Sequence, residues 1–146
     1  NYKMKIKILI YSIITFFYIN VHAVAVTNNI FFIEGKNLFD AKKFNKAKIQ
    51  FEKDIVFNPK NYNSYLYLAK IFNEENKDKL EKNNLKTVIT LDPKNEEAIY
   101  YLVLLNIKES NFTEAENNIK KLKLICDKLC SKNQLLTSKL NDLLKK

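Results

Sequence analysis

The stretch Phe57-Asn58-Pro59-Lys60-Asn61 returns 34 residues later as Leu91-Asp92-Pro93-Lys94-Asn95, and Pro59 and Pro93 are the only two prolines in the 146-residue chain. Proline lacks a backbone N–H and biases its predecessor away from helical geometry, so it closes one helix or opens the next. Recurrence at this interval implies a unit of two helices and two turns. The chain therefore reads as an all-α helical solenoid, an architecture used chiefly for binding.

Other residues keep the period. Ala47 and Ala115 are two periods apart, as are Phe44 and Phe112; Phe51, Leu85 and Ile119 form a one-period series, and so do Phe31, Tyr65 and Ile99. This pattern resembles the tetratricopeptide repeat (TPR) family, whose antiparallel helix pairs carry a bulky residue, a small one a turn later, an aromatic, an alanine, an aromatic and a closing proline. The first repeat has Phe31, Gly35, Leu38, Phe44, Ala47, Phe51 and Pro59 in that order. The resemblance implies three TPR-like repeats over 28–61, 62–95 and 96–127, within residues 28–130, and a capping helix over 131–146. Helices are expected near 29–41, 44–57, 62–74, 79–91, 96–109, 112–129 and 133–145. In the last, Leu135, Leu136, Leu140, Leu143 and Leu144 recur at helical spacing and give it one apolar face.

The second and third repeats depart from the pattern. Asp78 and Glu81 stand where the first repeat has Phe44 and Ala47, so the second helix of that repeat is expected to start late or shift register. In the third, Val103 replaces the small residue and Asp127 takes the phase of the proline.

Lys3, Lys5 and Lys7 precede an uncharged stretch from Ile8 to Ile19, and His22-Ala23-Val24-Ala25 follows. A positive region, an apolar region and a small-residue ending read as a secretory signal peptide over 1–25, cut after Ala23 or Ala25, with Met4 as the start and residues 1–3 upstream of it. The chain is then expected to be exported, to a periplasm or beyond the cell. The alternative is an uncleaved membrane anchor over 6–26, which has the ~20 residues that span a bilayer.

Gly35 is the only glycine, which excludes glycine-rich phosphate loops and argues against tight β turns. All 25 basic residues are lysine, a bias that looks like an AT-rich genome. Residues 24–119 balance 14 Lys against 14 Asp and Glu, whereas residues 120–146 hold 8 Lys against Asp127 and Asp142. That basic end reads as the solvated face of a capping helix, helped by the helix dipole. Its alternative role is contact with an anionic surface, as in a peripheral membrane or polyanion-binding protein. Nucleic acid is not an expected partner, since arginine and a basic-aromatic RNA motif are both absent.

Cys126 and Cys130 are the only cysteines. In an oxidising compartment an even pair suggests a disulfide, although a spacing of four on a regular helix is poor geometry and requires a distortion near Cys130-Ser131-Lys132-Asn133. The segment Leu122 to Cys130 also resembles the Leu-x-x-Leu-Cys-x-x-x-Cys tail of some exported bacterial TPR proteins. A disulfide joining the last repeat to its cap is expected; two buried thiols, or a redox or copper centre, are the alternatives. No metal or other cofactor is expected.

His22, the sole histidine, falls in the expected signal peptide, and the acidic pairs Glu74-Glu75 and Glu96-Glu97 read as solvated helix ends, so no enzyme is expected. What the resemblance does imply is a groove lined by the first helix of each repeat. By repeat phase its residues are Asn29, Phe32, Lys36 and Phe39, then Asn63, Leu66, Tyr67 and Lys70, then Glu97, Tyr100, Tyr101 and Leu104. The family's carboxylate clamp is absent, because Phe32, Tyr67, Glu97 and Tyr101 occupy four of its phases. An aromatic and apolar set of this kind suits an extended peptide or an amphipathic helix of a partner protein. The competing reading packs some of these aromatics, Tyr100 and Tyr101 first, between repeats.

Overall fold

The computed structural model describes residues 29–145; the expected signal segment, its alternative as an anchor, and His22 lie outside the described residues. Seven helices run through them: α1 Ile30–Asp40, α2 Phe44–Phe57, α3 Tyr62–Glu74, α4 Asp78–Leu91, α5 Glu96–Lys108, α6 Phe112–Ile125 and α7 Cys130–Leu144. The chain divides between Asn58 and Pro59 into two compact units, α1–α2 and α3–α7.

In the first unit α1 and α2 form a hairpin closed by Gly35. A Cβ at this position would come within 2.8 Å of the Phe51 ring, so the close approach of the two helices requires glycine. Phe31 stacks on Phe57 with ring centroids 5.4 Å apart, and Phe39 meets Phe44 at 5.3 Å. Asp54 is fully buried and accepts from the Asn58 amide at 3.1 Å.

The turn within each helix pair is built the same way three times. Lys42, Asn76 and Ser110, one period apart, all have positive φ, at 56°, 55° and 58°. Each next residue donates its N–H five residues back, from Lys43 to Leu38, Lys77 to Phe72 and Asn111 to Asn106, at 2.8 Å. This is the Schellman closure, which satisfies carbonyls that the helix end leaves open. The turns between pairs are equally periodic. Asn58, Asp92 and Cys126 each donate to the carbonyl four residues before. Asn61 and Asn95 then cap the helices that follow, Asn95 accepting the Ala98 N–H at 2.9 Å. Asn111 caps α6 by accepting from Glu114.

Two hydrophobic clusters fill the second unit. Leu66, Ala69, Leu85, Val88, Ala98 and Leu102 form the first, and Ile99, Val103, Ile107, Ala115, Ile119, Leu122, Leu136 and Leu140 the second. The series Phe51, Leu85, Ile119 is buried throughout, as the period requires.

Three expected boundaries are corrected. Helix α4 starts neither late nor out of register: Asp78 keeps the phase of Phe44 and Phe112, because the unit accommodates Glu81 inside it. The Glu81 side chain is fully buried, with the Asn73 amide 3.1 Å from each carboxylate oxygen. Helix α6 stops at Ile125 rather than 129, where Cys126 turns extended, and α7 starts at Cys130 rather than 133. Cys130 lies at the phase of Tyr62 and Glu96, the first residues of α3 and α5, so the capping helix is in register as the first helix of a fourth repeat. Cys126 and Cys130 are joined in a disulfide across the break, with Cα atoms 5.2 Å apart. It occupies the phase at which the earlier repeats place Asn58-Pro59 and Asp92-Pro93.

Candidate functional site

In the second unit the first helices α3 and α5 carry six of the expected groove residues on connected ground. The Lys70 ammonium of α3 sits 2.7 Å from a Glu97 carboxylate oxygen of α5 and 4.7 Å from the centre of the Tyr67 ring. Tyr100 and Tyr101 meet edge to face at 5.6 Å. Tyr101 is half-buried against the cluster around Leu66, while Tyr100 and Leu104 pack against the cluster around Ile99. Lys132, two residues into α7, lies over Tyr100 at 5.0 Å. Helices α3, α5 and α7 thus all contribute to one face, a row of tyrosines interleaved with lysine and carboxylate.

The electrostatics of this face are acidic around Tyr101. Burial pushes its hydroxyl above the ordinary tyrosine range, and the charges of Glu97, Glu74 and Glu81 reinforce the shift, as does Tyr100. Tyr101 therefore remains a hydrogen-bond donor at every physiological pH.

The remaining expected residues divide. Leu66 is corrected: it is 5% exposed and belongs to the core, because α4 and α5 close over it. Asn63 is half-exposed and gives its backbone N–H to the Asn61 side chain. In the first unit, Asn29 is exposed before α1 and makes no side-chain cap, and Lys36 pairs with Asp40 at 2.9 Å. The Phe32 ring lies 6.0 Å from Phe51, and Phe39 leans on Phe44, so both serve the hairpin's own packing. Lys132 was not among the expected residues. The 34-residue phase gives no signal for it, since it places Lys132 with Ser64 and Ala98, both buried.

The turn that delivers α7 is held from the same helix. Glu96, first residue of α5, accepts backbone N–H groups from Asp127 at 3.0 Å, Lys128 at 3.2 Å and Leu129 at 2.8 Å. Partial burial alone would raise its carboxyl, but these three donors and the Lys128 charge hold it below the ordinary carboxylate range.

No protein-family model and no curated protein matches the chain. Solved structures do. The TPR domain of Arabidopsis OM64 aligns with a TM-score of 0.71 at 17% identity, over 79% of this chain and 94% of that one. The TPR2B domain of yeast Sti1, in complex with pHsp70, aligns at 0.75 and 14%, over 81% and 98%. The Yersinia enterocolitica type III secretion chaperone SycD, in complex with a peptide of the translocator YopD, aligns at 0.73 and 14%, over 82% and 95%. The fold is that of a tetratricopeptide repeat domain. Its all-α solenoid of helix pairs is the architecture that Pro59 and Pro93 announce, and at these identities the likeness speaks for the fold alone.

Proposed function

We propose that this TPR-fold protein is a non-enzymatic interaction scaffold, whose first-helix face takes an extended peptide or an amphipathic helix of a partner protein. The observation that carries the reading is the row Tyr67, Tyr101 and Tyr100 with the Lys70–Glu97 pair. Tyrosines give large contact area at small entropic cost, and the charged pair supplies directional contacts beside them. Neighbours of the same fold, the Sti1 domain and SycD, are solved with pHsp70 and with a YopD peptide. Those ligands are theirs, and capture of partner segments by this fold supports the proposal.

The test is affinity for a partner segment captured from the protein's own compartment. Tyr67→Ala with Glu97→Ala is expected to weaken binding at least about tenfold while shifting Tm by no more than a few degrees, since both side chains are partly exposed. Unchanged affinity would move the site off this face, and a collapse in Tm would make these residues core.

We also propose that the protein works after export. The lysine-led apolar segment with its Ala-Val-Ala ending supports this, and so does the Cys126–Cys130 disulfide, a bond that persists in oxidising compartments. Intact mass under non-reducing conditions with alkylator is expected to begin at Val24 or Val26 with both cysteines unmodified. Retention of residues 4–23 with alkylated thiols would favour the anchored alternative.

A further inference from the structure

On the opposite side of α5 from the tyrosine row, α4 and α6 flank a cleft of about 510 Å³, within the size range of small-molecule sites, to which Ile89 and Leu102 give an apolar part. Its walls carry Lys82 and Lys86 from α4 and Lys121, Asn118 and Glu114 from α6; Asn106 of α5 lies at its floor. Lys82 pairs with Glu109, but the Lys86 and Lys121 ammonium groups make no ion pair among the described residues. Asn106 is 3% exposed, and its Oδ1 has no hydrogen-bond partner. That amide breaks the repeat, because the same phase holds Leu38 and Phe72 in the preceding pairs. A buried carbonyl group without a donor, in a place where the pattern calls for an apolar side chain, stands as an acceptor awaiting one. The Asn118 amide gives one N–H to the Glu114 carbonyl, and its oxygen is a second acceptor on the wall.

We propose that this cleft binds a phosphomonoester carried on a polyol. Two ammonium groups without an ion pair flank one space and outnumber the single Glu114 carboxylate on its wall, which favours an anion, and two amide oxygens match hydroxyl donors. The same chemistry comes from a free sugar phosphate or from the headgroup of a phosphorylated inositol lipid. The site is separate from the tyrosine row and stands or falls independently of it.

The experiment is amide-resolved NMR of the purified protein titrated with glucose 6-phosphate, inorganic phosphate and glucose, beside sedimentation with vesicles containing a phosphoinositide. Saturable shifts centred on residues 86, 106, 118 and 121 are expected with glucose 6-phosphate, with inorganic phosphate at least about tenfold weaker and glucose inert. Vesicle binding in addition, competed by glucose 6-phosphate, would identify the lipid as the source; its absence would identify the free ester. Lys86→Gln with Lys121→Gln is expected to weaken either interaction at least about tenfold, and more steeply at low salt. Asn106→Leu, which restores the apolar repeat residue, is expected to raise Tm while reducing glucose 6-phosphate to the affinity of inorganic phosphate. Shifts that stay linear with no vesicle binding, or binding that survives the lysine double substitution, would overturn the site. A lower Tm in Asn106→Leu with undiminished glucose 6-phosphate binding would overturn the role of its floor.

Discussion

Glu81 stands in a phase that belongs to Ala47 and Ala115, fully buried, with the Asn73 amide donating to both of its oxygens. Burial raises its carboxyl above the ordinary value, the Asn73 hydrogen bond and the Lys108 charge oppose the rise, and Asp78 and Glu109 add to it. Between the ordinary carboxylate value and the raised folded value the native state holds the proton more than the unfolded chain does. Lowering the pH through that window therefore relieves a cost that is fully present above it. Glu81→Gln should raise stability at neutral pH by on the order of 1 kcal/mol, a gain that disappears below the ordinary carboxylate value. Asn73→Ala should cost about 2 kcal/mol at neutral pH and less in mild acid, because it strips the buried carboxylate of its donor. Urea denaturation at the two pH values measures both; a cost independent of pH would mean that Glu81 is not the group responsible. This residue also marks where sequence reading ends. The phase of Glu81 was legible, but a carboxylate at an alanine position read as a helix that starts late or shifts register, since its donor comes from another helix, eight residues earlier.

At the scale of elements, boundaries were legible wherever proline or a paired turn enforced them, and α2 and α3 lie where the sequence places them, at 44–57 and 62–74. The turns inside each pair were harder to see, because they use Lys42, Asn76 and Ser110 in a conformation that usually signals itself with glycine. Lys42→Gly and Ser110→Gly should each stabilise by about 1 kcal/mol, and Asn76→Gly by less, asparagine being the residue of the three that best tolerates positive φ. Thermal melts of the three variants check the order. The α6–α7 junction was misplaced because the disulfide and Glu96 together do there what Asn-Pro and an asparagine cap do earlier. Closing a five-residue loop contributes about 2 kcal/mol in the chain-entropy view, so reduction should lower stability by about that much. Glu96 adds a pH-dependent share. Its depressed carboxyl favours the folded state above the unfolded carboxylate value, and that contribution is lost as the pH falls through the folded value. Glu96→Gln in the reduced protein should therefore speed hydrogen exchange in residues 130–144 at neutral pH and change little in strong acid. Equal protection of α7 in all forms would show that packing alone fixes it.

At the scale of the molecule, the exposed end of the second unit is decided by α7. Leu136 and Leu140, each 3% exposed, close over Ile99, Val103, Ile119 and Leu122, whereas Leu135 on the other face is 69% exposed. Truncating a buried leucine to alanine removes its transfer energy and leaves a cavity, about 2–5 kcal/mol per site. A domain of this size has only about 5–15 kcal/mol in total, so Leu136→Ala with Leu140→Ala should remove most of it. Leu135→Ala, by contrast, should fall within about 0.5 kcal/mol of the parent. Deleting residues 130–146 combines the lost burial with exposure of an apolar end, and aggregation or a broad, non-cooperative melt is expected. The consequence reaches the tyrosine row, since Lys132 leaves Tyr100 when α7 goes. The truncated chain should lose affinity for the partner segment beyond what its lower stability accounts for, and Leu135→Ala, one period after Tyr101 on the same face, should weaken binding with no such loss of stability. A truncated chain that melts and binds like the parent would mean that α7 is an appendage, and that the third helix pair closes the solenoid without it.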